Sequence, residues 1–180
     1  MWWRVGVFAV IVAFAGAPAA ASTFALETSA FLNEGLLPPI DAASADACGG
    51  RNISPPLLFI GAPANVRSFA VVVFDTDAQG GRGFVHWVAY GIAPTTKTLR
   101  TGFGSQASPA FTGGANDAGT TIYFGPCPPP GDQPHHYVFT AYALDLDPGR
   151  LRPGLTRAAL LRAIAAHTLA QAAITARYGR

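Results

Sequence analysis

The sequence predicts a mostly β protein with one late α-helix. Three runs of β-branched and aromatic residues carry the first part of that expectation: "SFAVVVFD" (68–75), "GFVHWVAYGI" (83–92) and "HYVFTAYALD" (136–145). The second part rests on a change of period near the C-terminus, where "LTRAALLRAIAAHTLA" (155–170) returns apolar residues at helical spacing. At 180 residues, half of them hydrophobic, the chain is long enough for one domain with a substantial core and short for two.

The elements follow in order. The chain opens on "MWWRVGVFAVIVAFAGAPAAAS", with Arg4, an apolar run from Val5 to Ala17, and small residues at peptidase spacing (Ala17 with Ala19, or Ala19 with Ala21). That run is short for a membrane span. Residues 1–21 therefore read as a cleaved signal peptide and 22–180 as one mature domain, periplasmic or secreted, with no transmembrane anchor left after cleavage. No cysteine follows the apolar run, which argues against a lipid-anchored form. "STFALETSAF" (22–31) alternates as a first strand through Phe24, Leu26 and Thr28, and residues 36–54 read as loop. "NISPP" (52–56) breaks regular structure before a short strand, "LLFI" (57–60).

"SFAVVVFD" is apolar on both faces and is expected to be a central strand. Residues 100–120, rich in glycine, serine and threonine, read as a long surface loop, and "TTIYF" (120–124) as a further strand. In the late helix Leu160, Leu161, Ile164 and Leu169 fall on one side, Thr156 is the expected cap, and His167 is a helix residue. "AAITARYG" (172–179) closes the chain as a strand.

Composition removes several function classes. The formal charge is +2, a single lysine (Lys97) stands beside eleven arginines, and no block of like charge occurs, so nothing points to nucleic acid. The nucleophile elbow, the phosphate-binding P-loop and the zinc-protease helix motif are all missing from the sequence. No histidine or carboxylate shows close metal-ligand spacing, so neither a metal nor a cofactor is expected.

What remains is a set of polar residues at strand ends. Asp75 and Asp77 lie two apart at the exit of the central strand, where extended backbone would put both carboxylates on one face. His86 sits in an otherwise apolar strand and is expected to share a face with Val88 and Tyr90. His135 and Tyr137 share a face, with His136 pointing the other way. Each has a plainer reading: aspartates as turn formers, a core histidine, a rigid loop. Together they offer two imidazoles and a phenol, and Gly125 and Gly131 would let backbone N–H groups approach a ligand.

These residues frame "GPCPPPGDQPHHY" (125–137), whose five prolines would suit a spacer, except that it joins two β segments within one domain. Proline there holds an open loop at little entropic cost, and the set suits a small anion. Cys48 and Cys127, an even count in an exported chain, form one disulfide by default, closing a loop of about eighty residues. Two buried free thiols are the alternative, and a reactive Cys127 thiolate with His135 as its base a further one.

"SFAVVVFDTDAQGGRGFVHWVAYGI" and "GPCPPPGDQPHHYVFTAYALD", with the upstream "NISPPL" and "GAP", resemble the phosphatidylethanolamine-binding proteins, in particular their bacterial Raf-kinase-inhibitor-like branch. The likeness spans the mature chain. It implies two packed antiparallel sheets, helical structure near the C-terminus, and a surface pocket for anions and phospholipid head groups. Asp75, Asp77 and His86 would line that pocket, supported by Trp87. Cys127, Pro128, Pro129, His135 and Tyr137 would stand across its mouth. The same resemblance favours the Cys48–Cys127 disulfide. Three departures stand out: Asp75-Thr76-Asp77 for the family's Asp-Pro-Asp, Phe59 for a tryptophan, and Val85 where an aromatic residue is common.

The resulting expectation is an exported, non-enzymatic protein holding a small anion: phosphate, a carboxylate or a phospholipid head group. The alternative is an inhibitor of a protease or other hydrolase acting through the rigid rim loop. A hydrolase using Asp75 and His86 fits the residue types but lacks a nucleophile.

Overall fold

The computed structural model describes residues 23–45 and 47–180, so the expected signal peptide lies outside the described residues. Strands β1 (Ala25–Glu27), β3 (Leu57–Ile60) and β6 (Thr98–Leu99) form a three-stranded sheet in the order β1-β3-β6. The larger sheet runs β2 (Gly35–Leu36), β9 (Thr168–Tyr178), β8 (His135–Leu144), β4 (Ser68–Asp75), β5 (Phe84–Ile92) and β7 (Thr112–Gly113). Every pairing is antiparallel except β2 with β9.

β4 shows why the large sheet is covered on both sides. Phe69, Val71 and Val73 face the small sheet and pack with Leu26, Leu57, Phe59 and Leu99, where Phe59 and Phe69 stack at 4.4 Å between ring centroids. Ala70 and Val72 face the other way, onto Leu155, Leu160 and Ile164 around helix α1 (Arg157–Ile164). A strand paired on both edges and buried on both faces has no polar position, which accounts for its unbroken apolar run. The mostly β, two-sheet architecture with one C-terminal helix thus agrees with the expectation.

Two expected elements differ. Residues 120–124 form no strand, because their backbone groups are taken elsewhere: Tyr123 N–H donates to the Gly104 carbonyl, Phe124 N–H to that of His86, and Tyr123 O accepts from Asn52. The helix is also shorter than its apolar spacing predicts. Thr156 caps it as expected, through Ala159 N–H at 3.3 Å, but it ends at Ile164. His167 lies in the turn that follows, bonded to Asp145 at 2.8 Å, and Leu169 belongs to β9. Alanine serves either period, so the alanine-rich stretch carries no signal separating helix from strand.

Candidate functional site

β4 ends, β5 begins and β8 begins at one end of the large sheet, and a cavity of about 410 Å³ opens there. Its floor is polar: Asp75, His86, His135 and Tyr137. Phe84, Phe124, Pro128 and Pro129 give it apolar walls, and Cys127 closes one side. Asp77, Gln79 and Asp132 stand at its edge.

A break in strand register aims His86. Val73 pairs with Trp87 and Phe74 with Val85, leaving His86 as the extra residue of a β-bulge. His86 is therefore turned into the cavity and shares no face with Val88 and Tyr90, which pack on the α1 side. Trp87, expected to support the pocket, is instead buried in the core between the sheets, edge-on to Phe111 and Tyr123, and does not line the cavity.

The two aspartates also part company. Asp75 is the last residue of β4, and its Oδ1 accepts the N–H groups of Asp77 and Ala78 at 2.9 and 3.1 Å. That turn takes Asp77 out of extended geometry (φ −98°, ψ −22°), so the two carboxylates do not share a strand face. Asp77 instead accepts from the backbone N–H of His136 at 2.7 Å and from its ring at 2.9 Å. Burial draws the Asp77 carboxyl up, but the His136 hydrogen bonds outweigh it and the group titrates below its ordinary range.

Each cavity histidine has one ring nitrogen engaged. His86 Nδ1–H donates to the Phe124 carbonyl at 2.7 Å, leaving Nε2 4.0 Å from Asp75 Oδ2. His135 Nδ1 pairs with Asp75 Oδ2 at 2.8 Å, and its Nε2 lies 3.7 Å from Asp132. Burial pushes the His86 pKa down, against the pull of the Phe124 carbonyl and the Asp75 and Asp117 charges. Free of ligand, the ring is therefore neutral around pH 7, with Nε2 as an acceptor. The Tyr137 hydroxyl is buried without a hydrogen-bond partner among the described residues. Burial, followed by the charge of Asp75, raises its pKa far above the ordinary phenol value, so it remains a proton donor.

Neither glycine amide expected to meet a ligand is free. Gly125 N–H donates to Asn52 Oδ1 at 2.7 Å and Gly131 N–H to the Arg180 carbonyl at 3.0 Å. Gly125 is needed for packing, since an added Cβ would lie 2.3 Å from the Asp41 carbonyl oxygen and 2.5 Å from the Ala42 carbonyl carbon. Backbone cannot yield as a side chain does, so Gly125→Ala is expected to cost about 3 kcal/mol by urea denaturation.

Cys48 and Cys127 are joined as a disulfide. Among the described residues no three His, Cys, Asp or Glu side chains are gathered as a metal ion would require. Phe84, Phe124, Gln79 and Asp132 line the cavity but were not singled out by sequence reasoning. Gln79, Phe84 and Asp132 lie inside the two long motifs, yet apolar and turn-forming residues carry no chemical signal of their own.

Residues 27–179 match the family described as phosphatidylethanolamine-binding protein. A UPF0098 protein of Methanothermobacter thermautotrophicus is 37% identical over 159 residues, covering 86% of this chain and 98% of the relative. Escherichia coli YbcL is 34% identical over 142 residues, 77% of this chain and 78% of that protein. The crystal structure of YbcL, described as a member of the mammalian PEBP family, superposes with a TM-score of 0.80 at 31% identity, over 88% of this chain and 99% of the other. A PEBP homologue from Chlamydia trachomatis gives 0.76 at 32% identity, over 88% and 98%.

Proposed function

Because this chain belongs to the phosphatidylethanolamine-binding protein family, we propose that its cavity binds a small anion, such as phosphate, a carboxylate or a phospholipid head group, without transforming it. The observation that carries this reading is the convergence of His86, His135 and the unpartnered Tyr137 hydroxyl on one cavity. Tyr137 donates in any state. Each imidazole has its Nδ1 engaged, so a proton at Nε2 turns that atom from acceptor to donor. The Cys48–Cys127 bond supports an oxidising setting, periplasmic or extracellular.

Asp75 and Asp132 disfavour an anion in the cavity while His86 is neutral. Anion binding therefore brings a proton with it. The His86 pKa is low in the free protein and rises beside a bound anion. Between those two values affinity strengthens as pH falls, by up to about tenfold per pH unit. Calorimetry with phosphate and phosphoethanolamine between pH 8 and pH 5 is expected to show that slope. Sulfate, which does not titrate in this interval, separates the protein's protons from the ligand's. His86→Ala combined with His135→Ala should abolish binding. No heat at any pH, or binding untouched by the double substitution, would overturn the reading.

A further inference from the structure

We propose that Arg180 is a positioning residue for the cavity, a hydrogen-bonded clasp that fixes the proline wall at a point the disulfide does not reach. The inference rests on the ligand reading for its effect on affinity, but its structural part stands on contacts alone.

Pro128, Pro129 and Pro130 have no backbone N–H, so this stretch can offer its surroundings only carbonyl acceptors. It cannot join a strand ladder as a donor, and something else must supply donors to hold it. Arg180 does so from two residues past the end of β9. Its Nε–H donates to the Pro128 carbonyl at 2.6 Å, and its guanidinium also donates to the Ala47 carbonyl in the facing loop. Its own carbonyl accepts Gly131 N–H at 3.0 Å.

The neighbouring residues tie down the same region. Tyr178 pairs in register with His135, its hydroxyl lies 3.5 Å from the Cys48 carbonyl, and Gly179 packs on Pro134. The disulfide fixes Cys127 to Cys48, but Pro128 and Pro129, which line the cavity, lie beyond it. Without the guanidinium those two residues could swing about Cys127, widening the cavity opposite His86.

The fork of guanidinium donors is what the site uses, because it reaches two neutral backbone carbonyls on different loops. An ammonium keeps the charge but cannot span the two in that geometry. This separates a positioning role from simple attraction of anions by a nearby cation.

The test compares wild type, Arg180→Ala and Arg180→Lys by phosphate calorimetry and by amide hydrogen exchange at Cys127, Gly131 and Asp132. Both variants are expected to weaken phosphate about three- to tenfold, the worth of one or two hydrogen bonds, and to speed exchange in that segment. In a Cys48→Ser, Cys127→Ser background the loss on removing Arg180 should exceed the loss in the oxidised protein, because both fasteners then fail. Full affinity in Arg180→Lys would show a charge effect and overturn the proposal, as would unchanged exchange in Arg180→Ala. Should wild type bind no phosphate, the ligand reading falls and the exchange rates alone decide on the clasp. Should Arg180→Ala fail to fold, the lysine variant carries the same comparison.

Discussion

Serine at both Cys48 and Cys127 is expected to lower the unfolding free energy by about 4 kcal/mol and the melting temperature by roughly 10 °C. The bond joins residues 79 apart in sequence. A loop that long gives the reduced, unfolded chain a large set of conformations that the oxidised chain is denied. The hydrogen bonds that hold the same corner, from Ala43 N–H to the Pro126 carbonyl and from Tyr178 and Arg180 to the Cys48 and Ala47 carbonyls, belong to the folded state and do not constrain the unfolded chain. Denaturation of the oxidised protein, the reduced protein and the double variant measures the effect. The last two should agree, and a difference below about 1 kcal/mol from the oxidised form would mean that the unfolded chain is already constrained there.

The second large effect concerns Asp41, a carboxyl that no part of the proposed ligand chemistry uses. It is 2% exposed, its Oδ2 has no hydrogen-bond partner among the described residues, and its backbone carbonyl accepts the hydroxyl of the buried Tyr123. Burial raises its pKa from 3.8 to about 7. The folded state therefore holds a proton that the unfolded chain has already released. Stability falls as pH rises from about 4 to about 7 and is flat above, a loss of a few kcal/mol. His86 acts in the opposite sense: burial lowers its pKa, so its contribution is lost as pH falls below the ordinary histidine value.

The difference between wild type and Asp41→Asn isolates the carboxyl. The amide resembles the protonated acid, so the two proteins should match to within about 1 kcal/mol near pH 4.5. At pH 8 the variant should be more stable by about 2 to 4 kcal/mol. Parallel stability curves across that interval, from urea denaturation at each pH, would contradict a buried, uncompensated carboxyl.

Those two predictions depend on residues of very different visibility in the sequence. The long strands were legible because burial on both faces demands continuous β-branched and aromatic runs, and β4 matches its run residue for residue. His135 and Tyr137 were legible for a related reason, since regular alternation holds through the start of β8. His86 was picked out by chemistry but given the wrong face, because a single inserted residue reverses a period of two. Asp77 failed in the same way once the chain turned at Asp75.

Gly125 was assigned to a ligand when its missing side chain serves the Asp41–Ala42 backbone, a contact with no local signature. Asp41 and Arg180 were invisible altogether. Their partners are 82 and 52 residues away, at Tyr123 and Pro128, and only the folded chain brings them together.

The two outermost strands of the large sheet, β2 and β7, contain two residues each. A strand edge is a template on which another chain can add itself, and its hazard grows with the number of free rungs. Here β2 covers β9 only at Ala176 and Arg177, and β7 covers β5 only at Ala89 and Tyr90. On β5 a loop closes much of what is left, because Asp117, Phe124 and Gly114 N–H donate to the Val85, His86 and Val88 carbonyls. On β9, residues 168–174 have no strand on their outer side among the described residues, so that stretch is where a second copy would add itself. Lengthening β2 by design to cover it should lower any tendency to associate sheet to sheet.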